Sequence, residues 1–565
     1  MVMCIFLFTA CQAFAADKTD TEEKKTISSE TRLKLFLHYL NQFCFQMPVF
    51  SLKGQDNIKP KTQDLFPLPE RRKPRLSRAI WTGLAHFTWA TSSYWIRQDV
   101  MKEDWEYQLS WNDQKRRFLF LDGMRFDSNT FSFNWTHSGA GAMYYTYARG
   151  NHFNTAQSML YTVLSSYFWE FVVEFKEVVS INDMIATPIG GLSIGESMFQ
   201  LGRFFRSGRP TLLNRIARIF SNPLLSVNDW LDRKRDKNQY AFKEDFWHDV
   251  RINFGPRYDS LVANDLRSYF NMGLESHLVL VPEYGTPDLV SKGISKTIST
   301  EFNINLSIGS KGIYEYQLYT KAVLFGYFYQ DIRSACKNKR LTSSTPTYST
   351  DIGKDDRTGY SFFLGLATAF DMFQHYPKAL KIEEDGPSMD DFEYKVDKYT
   401  VINLLGPTVD FTLFQKGLVL RLTADAFADF SLIHSHAYKR YSELNEFGQT
   451  KATLQNHGYY YAWGFTLASK MQLNYKNLEF KGKFKYHFFD SIEGLDRFQP
   501  EIEADDDFDL GDQRLNFDLS LGYQLPRLPI QLVVGYEQRE RRGDIGELTL
   551  KSTEKRTYFQ IRFLL

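Results

Sequence analysis

The chain has 565 residues, 68 basic and 67 acidic residues, and a mean hydropathy of -0.38. Its length allows two or three domains, and its balanced charge argues against nucleic acid as a partner. Aromatic residues make up 16% of the chain, with 49 Phe and 32 Tyr. The few cysteines exclude a disulfide framework and a CxxC metal site: Cys4, Cys11, Cys44 and Cys336. This composition suits a β-barrel with an apolar outer face and a polar interior.

Residues 1–16 are predicted to be a secretory signal peptide. A mostly apolar start is followed by Ala13-Phe14-Ala15, which fits a cleavage site. Cys11 leaves a lipoprotein signal as an alternative. Residues 17–76 are charged and contain several prolines, which predicts a disordered linker with one short helix at 33–50.

Residues 77–245 are predicted to form a helical domain, which we expect to plug the following barrel or to cap its periplasmic mouth. Ser180 has the position of a helix N-cap, and Pro188 should kink its helix or mark the true start of that helix. Alternating aromatic residues predict a small hairpin at 116–135. Apolar residues recur at helical spacing over 77–100, 139–149, 155–178, 181–206 and 211–234.

The helix at 155–178 is apolar on nearly every side. Glu170 and Glu174 within it make contact with lipid expensive. We therefore expect other protein segments to bury this helix, beneath the barrel or inside its lumen.

Residues 246–565 alternate between apolar and polar side chains, which predicts an antiparallel transmembrane β-barrel of about 12 strands. The hairpin at 458–488 shows the pattern most clearly, with long strands and many aromatic residues. The fold class is therefore α+β, a helical segment followed by the barrel. The expected strands are 248–256, 266–284, 301–308, 312–328, 358–372, 399–413, 417–430, 458–474, 477–489, 513–524, 529–540 and 555–565.

The lengths of the connections predict an orientation for the barrel. Short connections at 414–417, 475–477 and 525–529 alternate with long ones at 431–457, 490–512 and 541–554. Because barrels have short periplasmic turns, the turn at 475–477 should face the periplasm. Two consecutive long connections, 331–357 and 373–398, break this rule. Either a strand is missed there, or one long connection faces the periplasm.

The last strand ends on alternating apolar residues, Phe559, Ile561, Phe563 and Leu565. This ending resembles the C-terminal signal that the barrel-assembly machinery reads, which makes that machinery an expected partner during biogenesis. The expected location is the outer membrane of a Gram-negative cell. The expected surroundings are outer-membrane lipid and lipopolysaccharide, and the oligomeric state is open.

The densest group of polar and glycine residues lies in the helical domain, together with His137 and Tyr145. Over about residues 130–205 the sequence resembles a bacterial family described only as domain of unknown function 3943. The resemblance implies an exported protein in which β-rich sequence follows, and it implies no activity. The residues that carry it are Tyr147, Arg149, Asn151, Trp169, Glu170, Glu174, Ser180, Asn182, Asp183, Gly190, Gly191, Gly195 and Glu196.

Glu170 and Glu174 are four residues apart and would share one helix face. Two such carboxylates require a nearby cation such as Arg149, a metal, or raised pKa values. We favour Glu–Arg pairing and helix capping that lock the helices together, with a catalytic carboxylate pair as the alternative. No Glu-x-x-His motif is present, so neither a metal nor a cofactor is expected. The glycines are expected to allow close helix packing.

Five basic residues should face the barrel lumen: Arg421, Lys470, Lys481, Lys483 and Lys485. One interpretation is a basic lumen that attracts anions or pairs with acidic residues of the helical domain. The favoured interpretation is that acidic residues on neighbouring strands neutralise them, namely Glu479, Asp425, Asp429 and Asp518.

These features lead to competing functional hypotheses. The favoured one is a non-enzymatic outer-membrane barrel with a role in passage through, or organisation of, the cell envelope. The alternative is an outer-membrane enzyme that acts on lipid or lipopolysaccharide through carboxylates of the helical domain. No convincing Ser/His pair is found among the 11 histidines, and His137, His277 and His487 are interpreted as structural, so no catalytic residue is assigned. A third option is a soluble periplasmic β-protein.

Overall fold

The structure is a computed structural model. The predictions for residues 1–72, including the signal peptide and the linker helix, lie outside the described residues. Within the described part, no helix is both long and apolar enough to cross a membrane. The described residues are 73–101, 106–120, 124–207, 211–232, 247–260, 266–281, 284–309, 312–334, 357–375, 397–435, 437–438, 441, 452–492 and 509–565.

The helices before the barrel form what we call the helical layer, residues 76–231. Three π-helical turns follow α2, α4 and α5 directly, at Arg116–Phe120, Trp169–Val173 and Ala186–Gly190. The helices are α1 (Leu76–Met101), α2 (Trp111–Lys115), α3 (Phe131–Gly150), α4 (Thr155–Phe168), α5 (Ile181–Ile185), α6 (Gly191–Ser207), α7 (Leu212–Ser221) and α8 (Pro223–Leu231).

Two local signals in the helical layer act as the sequence predicted, although α3 begins at Phe131 and the predicted helix at 211–234 is two helices, α7 and α8. The Ser180 hydroxyl accepts a hydrogen bond from the backbone N–H of Asp183 at 3.3 Å, which confirms Ser180 as an N-cap. Pro188 lies in the π-helical turn between α5 and α6. A proline has no backbone N–H to donate, so the regular helix is interrupted there, as expected.

The predicted hairpin at 116–135 is wrong, because these residues are largely helical. Phe118 lies in the π-helical turn after α2, and Phe131 begins α3, which Thr130 caps. Phe131 and Trp135 are four residues apart and fit one face of a helix. Three alternating aromatic residues are too few to separate a strand from a helix.

The rest of the chain forms a closed antiparallel barrel of twelve strands, as predicted, with β1 paired to β12. In addition, a short helix, α9 (Ala452–His457), lies between β7 and β8. The strands are β1 (Trp247–Ser260), β2 (Leu266–Val279), β3 (Leu289–Gly309), β4 (Gly312–Ser334), β5 (Arg357–His375), β6 (Lys398–Gln415), β7 (Leu418–His434), β8 (Tyr459–Tyr475), β9 (Leu478–Ser491), β10 (Leu510–Gln524), β11 (Ile530–Ile545) and β12 (Leu548–Leu564).

One predicted loop, 541–554, is instead part of a long hairpin. Strands β11 and β12 continue through it to a tight turn at 546–547. Gly546 has φ +53°, a conformation that glycine adopts without steric cost. Polar and charged residues predominate at 541–554, so apolar and polar side chains do not alternate regularly there. The sequence pattern therefore does not reveal these parts of the two strands.

The connections divide the barrel into two ends. The turn end carries the tight turns at 416–417 and 476–477 and both termini of the barrel. The tight turn at 546–547 lies at the opposite end, the loop end, where β7 and β9 also finish. Strand β4 ends and β5 begins at the turn end, 23 positions apart in the sequence. The break in the alternation therefore comes from one long connection at the turn end, and the strand count is unaffected.

The helical layer packs on the outer face of the barrel. Ser193 of α6 lies 2.8 Å from the Thr320 hydroxyl of β4. The next residue, Lys321, points to the opposite face and pairs across the interior with Asp425 of β7 at 3.1 Å. Successive side chains of a strand point to opposite faces, so Thr320 lies on the outer wall.

An apolar core joins the helical layer to this outer wall. It combines residues of the helical layer with residues of β5 to β8: Phe126, Phe131, Ala142, Ala186 and Ile194 with Phe370, Met372, Ile402, Phe430, Leu432, Tyr459 and Tyr461. Phe370 and Phe430 are both 0% exposed, and burying each contributes about 2 kcal/mol. The predicted location of these helices, as a plug in the lumen or a cap beneath the barrel, is therefore wrong. Strand alternation marks an apolar face without showing whether lipid or protein covers it.

Candidate functional site

Glu196 and Arg149 form a buried ion pair between α6 and α3. Arg149 donates from Nε and Nη2 to the two carboxylate oxygens of Glu196, at 2.8 and 2.9 Å. Tyr145 Oη and Gln200 Nε2 donate to the same carboxylate at 2.7 and 2.6 Å. Burial alone would raise the pKa of Glu196, but Arg149 and these donors bring it below its usual value. An ionised Glu196 therefore locks α3 to α6.

A second network, which we call the junction cluster, ties the helical layer to β8. It comprises Asp127, Asn134, Asn182, Asp183 and Tyr461. Asn182 accepts from the backbone N–H of Asp127 at 2.8 Å and donates to Asp183 at 2.9 Å. Asn134 donates to Tyr461 Oη at 2.9 Å, and Tyr461 Oη donates to the carbonyl of Asp127 at 3.0 Å. A polar chain thus crosses from α5 to the barrel wall.

Two buried carboxyl groups, Asp183 in the junction cluster and Glu170 near it, have raised pKa values. Burial raises the pKa of Asp183 well above its usual value, and Asp127 raises it further. Burial and the charge of Glu174 do the same for Glu170, which is 2% exposed. His137 Nδ1 lies 3.1 Å from Asp183, and burial lowers the pKa of His137, so its imidazole is neutral.

Glu170 and Glu174 have different hydrogen-bond donors. The backbone N–H of Ser180 donates to Glu170 at 3.1 Å, and Trp169 Nε1 donates to Glu174 at 2.8 Å. The π-helical turn at Trp169–Val173 changes the spacing that would have aligned them on one helix face. Glu174 still raises the pKa of Glu170, so the two carboxyl groups interact, which is one of the expected outcomes. Arg149 pairs with Glu196 instead of Glu170.

Sequence reasoning missed Arg117, which is 1% exposed. Its guanidinium donates to the carbonyl oxygens of Phe171, Glu174 and Glu177 at 2.7, 2.8 and 2.7 Å, and also to that of Glu170. These carbonyls belong to the end of the π-helical turn and the residues after it, where helical partners run out. The sequence offered one indication that another group must bond these carbonyls: the apolar helix ends without a glycine C-cap.

The remaining motif residues close the helix packing. The Asn151 side chain donates to the carbonyl of Tyr147 at 2.8 Å and so caps the end of α3. A Cβ atom on Gly191 would lie 2.5 Å from the carbonyl carbon of Gly141. The α3 and α6 backbones therefore touch there, which confirms the predicted close packing. Gly190 and Gly195 have the same role against side chains of α3, those of Ser138 and Tyr145.

The five basic residues predicted in the lumen all lie on the inner face of the barrel and pair with acids. Most of these acids differ from the neutralising residues that the sequence suggested, because many pairs reach across the interior to non-adjacent strands. The pairs are Arg421–Asp410, Lys470–Glu301, Lys481–Glu275, Lys483–Glu275, Lys483–Asp518 and Lys485–Asp371.

Ion pairs brace the barrel interior at several heights. Near the turn end, Arg251 of β1 donates to both carboxylate oxygens of Glu479 of β9, at 2.6 and 2.7 Å. Two residues further along β9, Lys481 lies 3.2 Å from Glu275 of β2, five strands away around the barrel. His277 and His487 are also inside, bonded to Arg421 and Thr466. These side chains fill the lumen with paired charges.

Comparisons with known proteins identify one family and a general fold. The family described as "Domain of unknown function (DUF3943)" matches residues 123–224, which includes the stretch where the sequence resembles it. The chain has no match among curated proteins.

Several solved barrels are similar in fold. They include an outer membrane protein OmpT variant of Vibrio cholerae (9% identity, 57% of this chain, 100% of that chain, TM-score 0.18). Another is OprB of Pseudomonas putida (8% identity, 60% and 97% covered, TM-score 0.19). A third is the outer membrane channel DcaP of Acinetobacter baumannii (12% identity, 57% and 97% covered, TM-score 0.18). At these TM-scores the similarities carry no argument, and the closed barrel rests on its own strand pairing.

Proposed function

We propose that this protein is an outer-membrane β-barrel that organises the Gram-negative envelope by holding the helical layer against its outer wall. The braced interior carries this proposal. Cross-lumen pairs such as Arg251–Glu479 and Lys481–Glu275 occupy the space that a solute would need. A buried pair that loses one partner typically costs about 3–5 kcal/mol, so these charges hold one another in place.

The location is part of the proposal. Closed barrels satisfy every backbone hydrogen bond without water, which suits them to lipid. Residues 1–16 would direct export, and the barrel-assembly machinery would insert the strands through the alternation at the C-terminus. The turn end would then face the periplasm, because the short connections at 416–417, 476–477 and 525–529 lie there together with both barrel termini. The barrel surroundings would be outer-membrane lipid and lipopolysaccharide.

The enzyme alternative gains no support from the geometry. Glu170 is buried beside Ser180, and Glu174 is bonded to Trp169, so the carboxylates proposed for catalysis serve the packing of the helices. Organisation of the envelope therefore accounts for these residues better than lipid hydrolysis does.

Membrane fractionation, heat-modifiable gel migration and planar-bilayer recording test this proposal together. We expect outer-membrane fractionation, a shift in migration on boiling, and no steady open-pore conductance of the purified protein. Large stepwise conductance would favour solute passage over organisation. Recovery in the soluble periplasmic fraction without heat-modifiable migration would contradict the membrane location itself.

A further inference from the structure

The face of the helical layer that points away from the barrel is strongly apolar. On α1, Trp81 and Ile96 are each 71% exposed, and Trp89 is 70% exposed. On α4, Leu160 and Leu164 are 59% and 60% exposed. Soluble proteins rarely leave so many large apolar side chains on one continuous surface.

In helix α4 the polar side chains are buried and the large apolar side chains are exposed, which is the reverse of a helix on a water-facing surface. Its buried side carries small polar residues, Ser158, Thr162, Ser165 and Ser166, which are at most 6% exposed. A surface helix in water places its apolar side chains inward. Helices that associate in membranes instead place small residues at the interface and apolar side chains toward lipid. The polarity of α4 therefore fits lipid on its outer side.

The positions of the charged groups in the layer also fit lipid on its outer side. Glu170 and Asp183 are buried in the junction cluster region, and the Arg149–Glu196 pair lies between α3 and α6. Neither α4 nor the stretch of α1 from Ile80 to Ile96 contains Asp, Glu, Lys or Arg, as contact with hydrocarbon requires. The exposed Arg97 follows this stretch directly.

Barrel strands that the helices leave uncovered carry an exposed apolar surface of the same kind. On β11 and β12, Val534 and Phe559 are 57% and 41% exposed and pair with each other on the outer wall. On the same wall, Leu521 of β10 is 49% exposed. The exposed side of the helical layer is therefore apolar, like the outer wall of the strands.

From these observations we infer that α1 and α4 form a lipid-contacting surface, with acyl chains of the outer membrane against Leu160, Leu164, Trp89 and Ile96. The layer replaces part of the barrel's own lipid boundary. Helix α1 has 26 residues and is therefore about 39 Å long, comparable with a hydrocarbon core of about 30 Å. Each helix needs only one apolar side, because its other side packs on protein.

Helix α7 extends this surface toward the turn end. Leu212, Ile216, Ile219 and Phe220 are 75%, 55%, 52% and 64% exposed and recur at helical spacing. Ala217 packs against the core that contains Val250, which lies near the start of β1. An amphipathic helix in this position suits the boundary between acyl chains and headgroups.

The inference rests on the proposed membrane location. Quenching of a fluorescent label by brominated lipid tests the lipid-contacting surface separately from that location. The native cysteines are replaced by Ser, and Leu164→Cys, Val534→Cys or Lys476→Cys is labelled with an environment-sensitive fluorophore. The full chain is reconstituted in vesicles of plain or brominated phosphatidylcholine. We expect labels at positions 164 and 534 to lose the same fraction of fluorescence to brominated lipid. The label in the turn at 476 should respond to aqueous iodide instead.

The outcomes distinguish the two proposals. Quenching by bromine at 534 with iodide quenching at 164 would leave the membrane barrel intact and overturn the lipid-contacting surface. Protection of position 164 from both quenchers, with Leu164→Cys cross-linking between chains, would overturn it in favour of a second copy on this face. Iodide access at 534 would overturn the membrane location as well.

Discussion

At the residue scale, the helical layer holds two buried polar networks with opposite protonation. The Glu196 carboxylate is ionised because Arg149 donates to both of its oxygens. The carboxyl groups of Asp183 and Glu170 are neutral because burial and neighbouring acids raise their pKa values. The Arg149–Glu196 network is therefore destabilised when Glu196 loses its charge. The network of Asp183 and Glu170 is destabilised when these groups ionise.

Glu196→Gln should destabilise the layer, because it leaves the Arg149 guanidinium buried without its counter-charge. We expect the free energy of opening of α3 and α6 to fall by about 3 kcal/mol, measured by hydrogen exchange of residues 131–150 and 191–207. In the paired control, Arg149→Leu with Glu196→Leu should recover much of this loss. Equal exchange in Glu196→Gln and the unsubstituted protein would show that the pair does not hold these helices.

The raised pKa of Asp183 predicts a dependence on pH. A carboxyl whose pKa is raised on folding favours the folded state most at pH values below its unfolded pKa. Stability is lost as pH rises through the folded value. We expect the helical layer to be more resistant to proteolysis at pH 5 than at pH 8, and Asp183→Asn to reduce that difference. Glu196→Gln serves as the comparison, since a lowered pKa gives a loss on acidification only.

At the element scale, the sequence predicted most helices and strands but not which surfaces meet. The N-cap at Ser180 and the interruption at Pro188 follow from local chemistry, so they were predictable. The π-helical turn at 169–173 was not, because hydrogen bonding by Arg117 from a distant segment stabilises it. Glu170 lies within that turn and Glu174 follows it, so the two residues do not share one face of a regular helix.

Gly191→Ala should loosen the crossing of α3 and α6, because the new Cβ atom would lie 2.5 Å from the Gly141 backbone. We expect a loss of about 1–3 kcal/mol in the stability of the layer. Gly139→Ala is the matched control, since a Cβ atom there meets nothing within 4 Å. Chemical denaturation followed by tryptophan fluorescence measures both. If the two variants unfold alike, the close approach does not govern packing.

At the scale of the whole molecule, the barrel was predictable because alternation, strand number and turn spacing all repeat along the chain. The position of the helical layer was not. Phe370, Phe430 and Tyr461 look like lipid-facing residues in the sequence, yet the helices cover them. The alternation in the sequence also predicted that acidic side chains face the interior. Their partners could not be predicted, because closure of the barrel places β2 opposite β9.

The braced interior predicts a specific effect of removing its charges. Arg251→Ala combined with Glu479→Ala removes one brace near the turn end and should give a conductance that the unsubstituted protein lacks. Planar-bilayer recording measures it, with Arg333→Ala as the control, because the Arg333 side chain is 63% exposed. A double variant that stays as silent as the control would show that this brace does not close the interior.

The position of the helical layer on the outer wall is tested most directly by a disulfide cross-link in a background in which the native cysteines are Ser. The Ser193 and Thr320 hydroxyls lie 2.8 Å apart, so cysteines at these two positions are within disulfide range. The neighbouring Tyr319 points into the interior, where it faces Lys485. We predict that Ser193→Cys with Thr320→Cys cross-links in intact membranes and that Ser193→Cys with Tyr319→Cys does not. A cross-link to position 319 with none to position 320 would place the helices inside the barrel and contradict this arrangement.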